Sequence, residues 1–297
     1  MRTIARKMST YRTGHQLVYV ADSSNIEARM LAWLAGHTQL VAAFRDKKDA
    51  YSLFATKLFG RLITKADILE RFIGKVCVLG LGYGMGWAKF QTTLAVGALG
   101  GPPVFFTEIE ARNAVNLYRS DNADIVRYWA MAEAAISDMY LGNTRQWGPI
   151  TIYKECLVMP NGMALQYPGL RPSEPDEFGR VGWEYWDGDF WKKLYGGLLT
   201  ENITQAMARI VLFDQMVDIH QQVFLPRQGR VVLNVHDETI GVGPSYGAIL
   251  HDDGKWSNTE GADALFEEMQ VIMRTAPTWC PDLPLDSEGG YAFEYSK

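Results

Sequence analysis

Val231-Val232-Leu233-Asn234-Val235-His236-Asp237-Glu238-Thr239-Ile240 is an apolar run broken by three polar residues, and it continues through Gly241-Val242-Gly243. Short β-branched runs on both sides of a polar break predict two strands and a tight turn. A turn that sets two carboxylates side by side between hydrophobic strands is electrostatically unfavourable, because like charges raise each other's pKa. A divalent cation would relieve that repulsion. Taken alone, the triplet is equally compatible with a surface hairpin whose acids are simply solvated.

Far upstream, Val18-Tyr19-Val20-Ala21-Asp22-Ser23-Ser24-Asn25-Ile26-Glu27-Ala28-Arg29 is a second β-type run that ends in an aspartate and passes into a helical segment. Two strand-borne aspartates that meet across a sheet can share a pair of magnesium ions. Between them lies Arg71-Phe72-Ile73-Gly74-Lys75-Val76-Cys77-Val78-Leu79-Gly80-Leu81-Gly82-Tyr83-Gly84. Arg71, Lys75, Leu79 and Tyr83 recur every four residues, so on a helix they form one slowly drifting stripe. Two cations, an apolar side chain and an aromatic suit a nucleoside triphosphate better than a buried core. The plainer alternative is a solvated basic face.

These three stretches resemble, in order, the motifs of the family A DNA polymerases, the bacterial DNA polymerase I group and its phage relatives. The family's first motif, Asp-Tyr-Ser-Gln-Ile-Glu-Leu-Arg, stands here as Asp22-Ser23-Ser24-Asn25-Ile26-Glu27-Ala28-Arg29. The second, Arg-x3-Lys-x3-(Phe/Tyr)-x3-Tyr-Gly, is matched by Arg71, Lys75, Leu79, Tyr83 and Gly84, and the third by His236-Asp237-Glu238. The resemblance covers nearly the whole chain.

It implies an α+β fold: an antiparallel palm sheet carrying Asp22 and Asp237, with an inserted all-helical fingers subdomain. The implied reaction is attack of a primer 3′-hydroxyl on the α-phosphate of a dNTP, assisted by two Mg2+ ions. Asp22, Asp237 and the backbone carbonyl of Ser23 are the implied metal ligands, with Glu238 near the metals. Arg71 and Lys75 would bind the triphosphate, and Lys75 could protonate the leaving pyrophosphate. Leu79 would pack on the incoming base. Tyr83, with Gly84 and Gly86, would sit at the base of the template-base pocket. Glu27 would exclude a ribose 2′-hydroxyl, and His236 and Gln205 would contact the primer terminus and the minor groove. Arg29 is expected to be structural.

The chain has 297 residues, 47% hydrophobic and 21% charged, ordinary for a globular protein with a large core. Its net charge is −5 and its pI about 5.6, so a nucleic-acid surface would have to be a local patch. The first 21 residues hold Arg2, Arg6, Lys7 and Arg12 and no acid. Cys77, Cys156 and Cys280 are far apart, which fits a reducing compartment with neither disulfide framework nor zinc site. No apolar run reaches the roughly 18 residues that span a bilayer, and no apolar segment follows the basic N-terminus. The expectation is a soluble protein of the cytoplasm, a host's if the chain is from a phage, with no membrane partner.

Read in order, 16–22 is a predicted strand, and Asn25–Leu34 a predicted helix stopped by Gly36. His37–Arg45 and Asp49–Phe59 read as short helices, the second capped by Asp49. Glycines 74, 80, 82, 84 and 86 are unfavourable in a helix by roughly 1 kcal/mol each, so close backbone approach or a bend is expected along the stripe. Thr107–Leu141 reads as two helices. Ile150–Leu157 and Met163–Tyr167 predict a hairpin turned by Asn161-Gly162. Residues 168–190 read as an irregular insertion and Leu194–Ile219 as a long helix. Ala262–Arg274 reads as an amphipathic helix and Pro277 onward as a Pro-rich tail. Domains are expected at 1–39 (palm, first part), 40–141 (fingers) and 142–297 (palm, second part).

The chain departs from the family pattern in places. Ser23 stands where Tyr is usual, Leu79 replaces an aromatic, and Glu201 stands where the family often has Asn. Only 21 residues precede Asp22, so the thumb and the 3′–5′ exonuclease that the family carries before its first motif are expected elsewhere. The resemblance therefore implies a split polymerase or fragment whose partners are primer–template DNA, dNTPs and a second chain carrying thumb or exonuclease. Two rival readings are a non-catalytic DNA- or replisome-binding subunit and a single-subunit RNA polymerase; Glu27 and His236-Asp237-Glu238 favour DNA.

Overall fold

A computed structural model of the chain describes residues 16–97, 101–251 and 255–295. The cluster of Arg2, Arg6, Lys7 and Arg12 lies outside them. The helices are α1 (Ile26–Leu34), α2 (Thr38–Arg45), α3 (Ala50–Phe59), α4 (Ile68–Leu81), α5 (Trp87–Ala95), α6 (Glu108–Asp121), α7 (Ala123–Leu141), α8 (Gly196–Asp218) and α9 (Glu260–Arg274). The strands are β1 (Gln16–Ser23), β2 (Arg145–Trp147), β3 (Ile150–Tyr153), β4 (Cys156–Val158), β5 (Ala164–Gln166), β6 (Arg171–Pro172) and β7 (Trp183–Trp186). They continue as β8 (Trp191–Leu194), β9 (Arg230–Val235), β10 (Glu238–Pro244), β11 (Ile249–Leu250), β12 (Trp256–Ser257) and β13 (Ser287–Ala292). The chain forms two compact units, one of residues up to Ile26 with Ala208 onward, the other of Glu27–Met207.

The first unit is built on an antiparallel sheet in the order β13-β1-β10-β9. Alternation along β1 puts Leu17, Tyr19 and Ala21 on one face and Val18, Val20 and Asp22 on the other. The first face packs with Val223 and Phe224, which follow α8, and with Leu265, Met269 and Met273 of α9. The second packs with Ile240, Val242 and Tyr295. A side chain at Gly241 would meet the Phe224 ring at 2.2 Å, and the β9–β10 register shifts at this point. The glycine therefore admits the aromatic that covers the sheet. The tail expected after Pro277 supplies β13, a full partner of β1.

The second unit holds the helical block. Val76, Cys77 and Leu81 of α4 join Phe90, Leu94, Val115, Tyr118 and Ile125 in its core. α4 runs unbroken through Gly74 and Gly80. At Gly74 the expected close approach is present: a Cβ there would lie 2.3 Å from the Tyr51 carbonyl oxygen of α3. Asp49 caps α3 through the Tyr51 N–H, and His37 caps α2 through the Leu40 N–H.

Two expectations for this unit need correction. Ile150–Leu157 is not one strand: β3 and β4 turn back at Lys154-Glu155, where Glu155 takes a φ of 56°. Residues 168–190 are not irregular throughout, because β6, β7 and β8 pair as a second small sheet. Contacts between side chains hold this ladder: Trp186 packs edge-on to Trp191, and Arg171 lies over Trp191 and pairs with Glu184. Among the described residues, no helix is long and apolar enough to cross a membrane.

Candidate active site

One group of candidate residues stands at the end of the first unit's sheet. β1 pairs so that Asp22 lies opposite Glu238 of β10 and, on its other side, opposite Glu288 of β13. Directly paired residues share a face of an antiparallel sheet, so three carboxylates stand in register, and Asp237 follows in the β9–β10 turn. The Ser23 N–H donates to the Asp237 carbonyl at 2.9 Å, tying this turn to the end of β1 through backbone alone. Asp22 and Asp237 keep half-exposed side chains. His236 is exposed and holds a left-handed φ of 54°.

Glu238 differs from its neighbours. It is 3% exposed, and the Tyr295 hydroxyl donates to its Oε2 at 2.6 Å. The turn is also braced from α8: Arg209 Nη1 donates to Asn234 Oδ1 at 2.7 Å and to the His236 carbonyl at 3.3 Å. The Arg209 brace, Tyr295 and Glu288 were missed in the sequence. No local pattern marks those contacts, since Tyr295 and Glu238 are 57 residues apart.

The donor set suits a hard cation. Carboxylate and carbonyl oxygens are the ligands Mg2+ prefers, and Mg2+ commonly takes one or two carboxylates and leaves its other positions to water and phosphate. Among the described residues no three His, Cys, Asp or Glu side chains form a ready-made metal cluster. Asp22 and Asp237 are the two carboxylates here that could hold such an ion.

A separate group of candidate residues lies on α4 and its surroundings, in the second unit. Arg71, Lys75, Leu79 and Tyr83 are all half-exposed along one stripe, while Ile73, Val76, Cys77 and Leu81 are buried. Arg71 Nε donates to Asp49 Oδ2 at 2.5 Å, and its guanidinium carbon lies 5.4 Å from the centre of the Tyr51 ring. Lys75 makes no hydrogen bond or ion pair with a described residue. Leu79 packs beside the Ala28, Val41 and Phe44 cluster. Arg29 is buried with its guanidinium over the Phe44 ring.

The Tyr83 hydroxyl donates to Glu27 Oε2 at 3.2 Å, joining the first and second motifs within this unit. Burial and the Glu27 carboxylate push the Tyr83 phenol well above its ordinary range, so it remains a donor. The end of α4 is held from below: Trp129 Nε1 donates to the Gly82 carbonyl at 2.8 Å. Gly84 takes a φ of 82°, which favours glycine. Gln205 is exposed on α8.

The sequence pattern of DNA polymerase family A matches residues 1–144. Over that stretch the chain is similar to DNA polymerase family A. It is 29% identical over 293 residues to the DNA polymerase of Bacillus phage SP02, spanning 94% of this chain and 41% of that protein. It is 33% identical over 114 residues to DNA polymerase I of Synechocystis, covering 38% of this chain and 10% of the relative. Its fold matches the POL domain of Pol1 from M. smegmatis, solved with DNA primer-template and dNTP. The TM-score is 0.66 at 19% identity, over 95% of this chain and 40% of that one. The chain thus spans about two fifths of the phage relative's length. The α+β fold expected from the sequence, an antiparallel sheet with an inserted helical block, is the fold found.

Proposed function

We propose that this chain is the catalytic palm and fingers portion of a template-directed DNA polymerase, extending a primer 3′-hydroxyl with dNTPs. One observation carries the reading: β1 and the β9–β10 turn bring Asp22 and Asp237 to the same end of one sheet through a backbone hydrogen bond. Asp22, Asp237 and the Ser23 carbonyl would hold Mg2+, which when bound stabilises charge on the attacking and leaving oxygens. Glu238, buried on Tyr295, acts as a support for this turn rather than as a ligand.

Arg71 and Lys75 bind the triphosphate, and Lys75 supplies the proton to the leaving pyrophosphate oxygen. Tyr83 holds the Glu27 carboxylate where it meets the sugar, and Glu27 rejects a ribose 2′-hydroxyl. Leu79 packs on the incoming base where the family's motif has Phe or Tyr. Gly84 gives the template base room beside Tyr83, and His236 and Gln205 contact the primer end. On this reading the palm is 1–39 with 142–297, the fingers are 40–141, and the chain works in the cytoplasm, of the host if it is phage-borne. A second chain supplying a thumb, and with it an exonuclease, completes the grip on DNA.

The test is primer extension with Mg2+, using dNTPs or rNTPs, with and without a candidate thumb-bearing chain. The reading expects dNTP incorporation with rNTPs strongly disfavoured, short products alone and longer ones with the partner. DNA binding without any extension would favour the non-catalytic subunit, and preferential use of rNTPs would favour an RNA polymerase.

A further inference from the structure

We infer that Asp49 is a positioning residue for the nucleotide triphosphate, presenting the Arg71 guanidinium with its Nη edge open; the inference rests on the polymerase reading of α4. The carboxylate of Asp49 is fixed before it meets Arg71. Its Oδ1 accepts from the Tyr51 N–H at 3.2 Å and its Oδ2 from the Ser52 hydroxyl at 2.8 Å, both in the first turn of α3. Its side chain is 16% exposed, against 32% for Arg71. Burial alone would raise its pKa, but the hydrogen bonds from Arg71 and Ser52 outweigh it and hold the carboxyl below its ordinary range. It is therefore a fixed anion at neutral pH.

This anion takes only one of the three guanidinium nitrogens. Nε donates to Oδ2, the Tyr51 ring lies beside the guanidinium, and neither Nη makes a hydrogen bond with a described residue. Arg–phosphate recognition is bidentate and uses the planar fork of N–H groups. A guanidinium already held at Nε loses less freedom when its fork closes on phosphate. The mounting is rigid because α3 and α4 touch one turn further on, where Gly74 lies against the Tyr51 carbonyl. Sequence reading found Asp49 as a helix cap and Arg71 as a phosphate ligand, and only the fold joins them across 22 residues.

The experiment titrates the full chain with dATP and Mg2+ by calorimetry, so that it reads binding and needs no incorporation. Asp49→Ala should weaken dATP binding by about tenfold, the scale of losing a hydrogen bond to a charged group. Asp49→Asn has one amide oxygen where Asp49 uses both carboxylate oxygens, so with the α3 cap kept its NH2 faces Nε and binding should weaken nearly as much. In an Arg71→Ala background Asp49→Ala should change nothing further, since the two act as a unit. Where the chain extends primers, the same substitution should raise KM for dNTP more than it lowers kcat. Unchanged dATP affinity in Asp49→Ala would overturn the inference and leave Asp49 a cap alone. Tighter binding would also overturn it, because Asp49 would then compete with phosphate for Arg71. If Asp49→Ala does not fold, Asp49→Asn in the wild-type and Arg71→Ala backgrounds decides: a loss present only with Arg71 supports the inference, and no loss in either overturns it. A wild-type chain that binds dATP in this Asp49-dependent way and extends no primer would sink the polymerase reading instead.

Discussion

The sheet end and the α4 stripe hold their charged groups by different means. At the sheet end, backbone does the holding: strand register and the Ser23–Asp237 hydrogen bond set the positions of Asp22 and Asp237. Along α4, side chains do the holding: Asp49 and Tyr51 fix Arg71, Glu27 accepts from Tyr83, and the missing Cβ of Gly74 lets α3 come close. The difference separates function from stability. At the sheet end the two should come apart under mutation, and along α4 they should be lost together.

The largest expected effect breaks the sheet end alone. Asp22→Ala or Asp237→Ala should lower single-turnover incorporation by at least about a thousandfold, on the scale of losing electrostatic transition-state stabilisation. The melting temperature should hold or rise slightly, because one like charge has gone. A large fall in melting temperature would mean that these side chains, and not the backbone, build the turn. Lys75→Ala comes next, slowing the chemical step by about 10²–10³, within the roughly 10²–10⁴ range for a general acid. As Lys75 has no protein partner among the described residues, its stability should not change, so it is the one α4 residue expected to behave like the sheet end. Rapid-quench rates equal to wild type would reduce Lys75 to a solvated cation.

Gly74→Ala sharpens the other half of the comparison. Helix propensity alone favours alanine by roughly 1 kcal/mol, but the new methyl would collide with the Tyr51 carbonyl, and overpacking of this kind costs about 1–3 kcal/mol. Denaturant melts should show net destabilisation, with triphosphate binding weakened as α3 and Asp49 shift. Net stabilisation would contradict the close contact. The smallest effect on incorporation is that of Tyr295→Phe, which removes one donor from the buried Glu238 carboxylate and should cost about 1–3 kcal/mol of stability. Incorporation by the folded fraction should stay near wild type, measured by urea melts beside active-site titration.

What could be read from the sequence follows the range of the interactions. The strands around His236-Asp237-Glu238, the helix after Asp22 and the α4 stripe were legible because apolar periodicity and turn chemistry are local. The glycines of α4 announced a close approach, and Gly74 makes one. Three features were not legible. Glu155 has no strong turn signal, so β3 and β4 looked like one strand. The ladder of β6, β7 and β8 depends on Trp186, Trp191 and Arg171 meeting across loops that look irregular in sequence. The tail after Pro277 becomes β13 only because β1 offers it an edge. Within the site, Asp49–Arg71, Arg209–His236 and Tyr295–Glu238 are pairings over 22, 27 and 57 residues that composition cannot encode.

The central claim is that this chain builds DNA under the direction of a template, and template dependence tests it most directly. Four primer–templates differing only in the first unpaired template base are each offered the four dNTPs singly with Mg2+, and primer elongation by one nucleotide is measured at single-turnover. The account predicts rapid addition only of the complementary dNTP on each template. Addition indifferent to the template base, or no addition on any template with or without a thumb-bearing partner, would contradict it.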